Sequence, residues 1–144
     1  MSMPTSTPLS ISELLDRLGA EHGELLPRIR KLARIADSDG AELTEEIDAL
    51  AGLLSEPLEG HIAAEDDILF PAFARATNDR GVVSRFSEEH REILTLRDRL
   101  LAARRAGEAR STLRETVLQL GDLLTSHMSR EELILFPIAR ELLT

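Results

Sequence analysis

The chain contains four histidines, at positions 22, 61, 90 and 127, and no cysteine. His61 is followed four residues later by Glu65, and His127 by Glu131. On a helix such a pair projects from one face, one turn apart. Imidazole nitrogen and carboxylate oxygen, without sulfur, are ligands for iron, manganese or zinc. The lack of cysteine removes disulfides, iron–sulfur clusters, thiolate zinc sites and cysteine nucleophiles together. The lack of tyrosine and tryptophan removes side chains that readily hold a radical or stack a base. With 17 glutamates in 144 residues, one His-x-x-x-Glu pair arises by chance for about one histidine in eight, so a single pair is weak as a motif.

The pairs gain weight from a repeat. At an offset of 66 residues, HIAAEDDILFP (61–71) lies over HMSREELILFP (127–137). At an offset of 68, AEHGELL (20–26) lies over EEHREIL (88–94). The chain reads as duplicated, and all four histidines fall in register. Four imidazoles and two carboxylates converging in an apolar interior are costly unless something pairs them, and bound metal does so. Six ligands are too many for one tetrahedral zinc. Two irons sharing Glu65 and Glu131 fit best, ahead of zinc or manganese.

Positioning these residues takes helices. Turn clusters at 37–40, 78–81 and 106–108 leave four long segments with apolar residues at helical spacing. They predict helices near 10–36, 44–75, 83–106 and 112–143. Ser10 with Glu13 and Thr112 with Glu115 are capping boxes, Thr44 is a candidate N-cap, and Gly107 a candidate C-cap. Strand signals are absent. The expected fold is all-α, an up-down-up-down antiparallel four-helix bundle with an internal two-fold repeat. Pro27, Pro57, Pro71 and Pro137 fall inside the segments and predict kinks or stops. Ile68 and Ile134 share the helical face of the His-Glu pairs and are expected to point inward, and the ILFP runs to pack in the core. Asp66, Asp67 and Glu132 read as a solvated face, with Glu132 a substitute ligand if its helix is distorted. Arg97 to Arg105 reads as exposed surface.

Length and composition bound the rest. A chain of 144 residues, 42% hydrophobic, supports one domain, expected at 10–144 behind a short disordered tail at 1–9. The net charge of -9 disfavours a nucleic-acid partner, and no apolar run reaches the ~18 residues a membrane span needs. The opening MSMPTSTPLS has no basic or apolar region of a signal peptide, so a cytoplasmic location is expected. No feature identifies a protein partner.

His22, His61 with Glu65, His90, and His127 with Glu131, each pair running into ILFP, resemble the hemerythrin-like family of HHE cation-binding domains over residues 10–144. The resemblance implies a four-helix bundle around a non-haem di-iron centre. His22, His61, His90 and His127 would be terminal ligands, and Glu65 and Glu131 would bridge, with a further oxo or hydroxo bridge. It also implies a small ligand: dioxygen, nitric oxide or peroxide. Oxygen-carrying hemerythrins have an extra histidine where this chain has Leu94, which points away from simple reversible oxygen carriage. The leading expectation is therefore small-ligand binding, sensing or iron handling. A catalase-like or peroxidase-like di-iron enzyme and a structural metal-binding bundle are the alternatives.

Overall fold

A computed structural model describes residues 10–38 and 40–144. The tail expected at 1–9 lies outside the described residues. Helix α1 (Ile11–Ile35) leads to α2 (Gly40–Leu54), α3 (Glu56–Ala64) and α4 (Phe70–Thr77), then α5 (Gly81–Ala106), α6 (Arg110–Arg130) and α7 (Phe136–Leu143). Two π-helical turns, Glu65–Leu69 and Glu131–Leu135, join α3 to α4 and α6 to α7. Among the described residues there is no strand. The chain is thus all-helical, and α1 packs on α2, α6 and α7 while α5 packs on α2, α4 and α6.

Local chemistry explains most of the boundaries. The Ser10 hydroxyl accepts the Glu13 N–H at 3.1 Å and the Glu13 carboxylate accepts the Ser10 N–H at 3.3 Å, forming the expected capping box. Gly107 ends α5 at φ +68, a left-handed conformation that a Cβ would strain. The other two expected caps do not form. Helix α2 starts at Gly40, upstream of Thr44, whose hydroxyl instead donates to the Ala41 carbonyl. Helix α6 starts at Arg110 behind Ala109, upstream of Thr112. Helix α1 runs through Pro27, Pro57 sits in the first turn of a new helix, where the missing N–H costs nothing, and Pro71 and Pro137 sit just behind the π turns.

The π turns overturn one expectation. Ile68 and Ile134 are 51% and 54% exposed, and Leu69, Phe70, Leu135 and Phe136 are buried in their place. A π turn closes i to i+5, seen in the Phe70 N–H on the Glu65 carbonyl and the Phe136 N–H on the Glu131 carbonyl. The additional residue in each turn shifts the phase of everything after the glutamate. The ILFP runs therefore do pack inward, but through Leu and Phe. Each turn is followed, after one phenylalanine, by a proline, whose ring crowds the preceding turn.

The interior has two apolar clusters with a polar layer between them. One gathers Leu25, Ile29, Leu50, Ile93, Leu100 and Leu124. The other gathers Leu14, Leu18, Phe70, Phe73, Phe86 and Phe136. All four histidines lie in the chain between members of the two clusters, as His22 lies between Leu18 and Leu25.

Arg97 corrects a second expectation, because it is buried. Its guanidinium donates to the carbonyl of Leu54, the last residue of α2, at 2.7 Å, and to the Asp98 carboxylate at 2.8 Å. Arg97→Met should leave that carbonyl unpaired and cost about 1–3 kcal/mol. Urea denaturation checks this, and an unchanged midpoint would rule out the bracing role.

Candidate metal centre

Each histidine reaches the polar layer from a different part of the chain: His22 from α1, His61 from α3, His90 from α5 and His127 from the end of α6. Glu65 and Glu131 are the first residues of the π turns and are fully buried. Two sets of four ligand atoms form, each within 4.8 Å of one another. One set is His22, His61, Glu65 and Glu131, and the other is His90, His127, Glu65 and Glu131. All six sequence candidates therefore converge, and both sets contain both carboxylates.

The carboxylates divide their oxygens. Glu65 places Oε1 2.8 Å from His90 Nε2 and Oε2 3.4 Å from His61 Nε2. Glu131 places Oε1 3.1 Å from His22 Nε2 and Oε2 3.4 Å from His127 Nε2. Each thus faces one histidine on its own rod and one on another. Of these contacts only that of His90 with Glu65 Oε1 is a hydrogen bond: Glu65 Oε2, both Glu131 oxygens and His127 Nε2 are buried without a hydrogen-bond partner among the described residues. Orphaned buried acceptors of this kind are expensive unless something completes them. A cation fits that role, and the donor set of nitrogen and oxygen suits iron, manganese or zinc.

Four further carboxylates hold the outer nitrogens. The Nδ1 atoms of His22, His61, His90 and His127 lie 2.8, 2.8, 3.0 and 2.8 Å from Glu132, Glu21, Asp66 and Glu89 respectively. An Nδ1–H donated outward leaves the Nε2 lone pair facing the centre, the arrangement that orients metal-binding imidazoles. Of the acidic residues expected on a solvated face, Asp67 and Glu132 are exposed and Asp66 is half-buried, and Asp66 and Glu132 also hold histidines. Glu132, the suggested substitute for Glu131, sits on the outer side of His22. The repeat carried a signal for them. Glu21 and Glu89 each precede a histidine at matched positions, and Asp66 and Glu132 each follow a buried glutamate.

Phe136 stacks on His22 with ring centres 5.4 Å apart, and Phe70 on His90 at 5.5 Å. The π turns thus deliver both a carboxylate and the aromatic wall of the site. Burial opposes a charge on His61, but contacts with Glu21 and Glu65 outweigh it and push its pKa up to about 10. Burial likewise opposes charge on Glu131, yet the imidazoles of His127 and His22 hold its pKa well below the usual carboxylate range. A cation entering the site must displace protons from imidazole nitrogen.

Beside the histidines lies a cavity of about 90 Å³, walled mainly by apolar residues such as Leu25, Leu58, Ile62, Ile93 and Met128. Its exposed and half-exposed lining, Glu21, Glu24, Leu53 and Pro57, lies on α1, α2 and α3. Among the described residues no helix is long and apolar enough to cross a membrane.

An all-helical chain with buried histidine–carboxylate sets is the architecture of a helical cation-binding domain. The family model for the hemerythrin HHE cation-binding domain matches residues 13–139, and the chain belongs to that family. Among curated proteins and among solved structures, nothing matches the chain significantly.

Proposed function

We propose that the protein is a non-haem di-iron protein that binds a small ligand, either a diatomic such as dioxygen or nitric oxide, or peroxide. The division of Glu65 and Glu131 between opposite histidine pairs carries this reading, because two ions sharing both carboxylates use every inward-facing ligand atom. His22 and His61 would hold one ion and His90 and His127 the other. The same reading takes the rods as an up-down-up-down four-helix bundle of two like halves, a setting in which carboxylate-bridged metal pairs recur. When bound, two irons supply a redox-active pair of Lewis-acidic positions to which such ligands can attach.

The chain's own residues set the conditions. Phe70, Phe136 and the apolar cavity limit water around the histidines. The cavity beside the histidines, about 90 Å³ and walled mainly by apolar side chains, suits small uncharged ligands. The excess of acidic over basic residues disfavours a nucleic-acid partner, in keeping with a small-ligand protein. Elemental analysis of untagged protein loaded anaerobically with Fe(II) should give about two irons per chain, as a carboxylate-bridged pair requires. Zinc alone, or no retained metal, would overturn the reading. Nitric oxide should then change the absorption spectrum of the loaded protein and leave that of chelator-stripped protein unchanged.

A further inference from the structure

The four outer carboxylates hold their histidines alike but are themselves held very differently. Glu89 is clamped: Arg130 Nη2 lies 2.7 Å from Oε1 and 2.6 Å from Oε2, and the Glu89 side chain is only 14% exposed. Arg130 is itself braced, with its guanidinium 5.4 Å from the centre of the Phe86 ring, whose edge meets His127. Asp66, behind His90, accepts the Ser87 hydroxyl at 2.8 Å. On the other side, Glu132 is 44% exposed and, beyond His22, has no partner among the described residues. Glu21, about as exposed as Asp66, has beyond His61 only the half-exposed Arg17 at 3.2 Å, and it borders the mouth of the cavity.

We infer that the two metal positions are unequal, the one between His90 and His127 being retained and the one between His22 and His61 being exchangeable, with Glu21, Asp66, Glu89 and Glu132 as the positioning residues that set the difference. The inference rests on the two-metal reading above. A carboxylate fixed by other groups keeps its imidazole aimed at the ion, whereas an exposed, singly held one lets the ring turn away. The cavity touches all four histidines, but its exposed rim lies on α1, α2 and α3, with Glu21, the partner of His61, at its mouth.

The test uses the full chain loaded anaerobically with Fe(II) and mixed with excess chromogenic ferrous chelator. Iron should leave in two phases of equal amplitude, separated by about tenfold or more in rate, the size of effect that groups behind metal-bound histidines exert. Glu132→Gln should speed the fast phase alone. Glu89→Gln should speed the slow phase by about tenfold and leave the fast phase in place. Arg130→Gln, a change at the partly exposed clamp that spares the buried carboxylate, should do the same and covers the case in which Glu89→Gln fails to fold. A general loss of stability would move both phases together, so phase-selective effects separate positioning from folding. Release of both irons in one phase, or an effect of Glu132→Gln on the slow phase, would overturn the inference and leave the di-iron reading standing. Uptake of fewer than two irons would overturn the di-iron reading and this inference with it.

Discussion

Glu131→Ala is expected to strip the chain of both metals at once. Its two oxygens face His22 and His127, one from each ligand set, so neither set keeps its full complement without it. Glu65→Ala should behave the same way, since its oxygens face His61 and His90. In stability terms, metal held at 100–1,000 times its dissociation constant contributes about 2.7–4.1 kcal/mol, which the variants forgo. For a chain of this size that is roughly a 5–15 °C difference in Tm with metal present. Chelator-stripped protein provides the contrast. Removing a fully buried carboxylate that faces two imidazoles leaves them without their counter-charge, so the stripped Glu131→Ala variant should melt below the stripped wild type and gain nothing when metal is added. Thermal melts with and without metal, together with elemental analysis, check both halves. Full metal content in both variants would remove the bridging role.

Inserting an alanine after Asp67 should be comparably severe for a different reason. Asp67 is exposed and sits in the middle of the first π turn. Its side chain matters little, and Asp67→Ala should fall within about 0.5 kcal/mol of wild type. The number of residues in the turn matters much more. Deleting one would give a plain α-helix that keeps Leu69, Phe70 and Phe73 on the face of Glu65, but one more residue turns Phe70 and Phe73 out of the cluster they share with Leu14, Leu18 and Phe86. Each such side chain is worth about 1.5–3 kcal/mol of burial, so the loss is on the order of 5 kcal/mol, a large part of a domain's typical stability. Chemical denaturation of the insertion beside the substitution checks this. An insertion variant as stable as Asp67→Ala would show that the turn is not what fixes the phase.

These two cases mark where the sequence is informative. His22, His61, Glu65, His90, His127 and Glu131 are legible because each carries chemistry in its residue type and each recurs at a fixed offset. The all-helical class is legible because Leu and Ile keep a helical period throughout. The π turns are not. Helical periodicity assumes a constant angle per residue, and nothing in EDDIL or EELIL marks the place where that angle changes. The prolines behind them are the only hint, and a proline is equally compatible with a kink or a stop. This is why Ile68 and Ile134 read as inward yet lie outside. The N-caps divide for a related reason. Ser10 has its reciprocal Glu13 and begins its helix, whereas Thr44 lies inside a helix that starts earlier and turns its hydroxyl back to the Ala41 carbonyl. The outer carboxylates were hidden by their neighbours: Glu21 adjoins His22 but serves His61, across a gap of 40 residues.

That crossing of partners has a consequence for how the molecule comes apart. Glu21 to His61 and Glu89 to His127 are links within the first and second parts of the chain. Asp66 to His90, Glu65 to His90, Glu132 to His22 and Glu131 to His22 run between them. Each part therefore lends the other a buried carboxylate and an outer one, and borrows the same in return. Neither can fray without stranding charge inside its counterpart, a penalty that rises at the first step of opening. Such reciprocity makes partial opening at the polar layer scarcely cheaper than complete unfolding. The chain is therefore expected to unfold as a single cooperative unit, although two stretches of its sequence recur, at offsets of 66 and 68 residues.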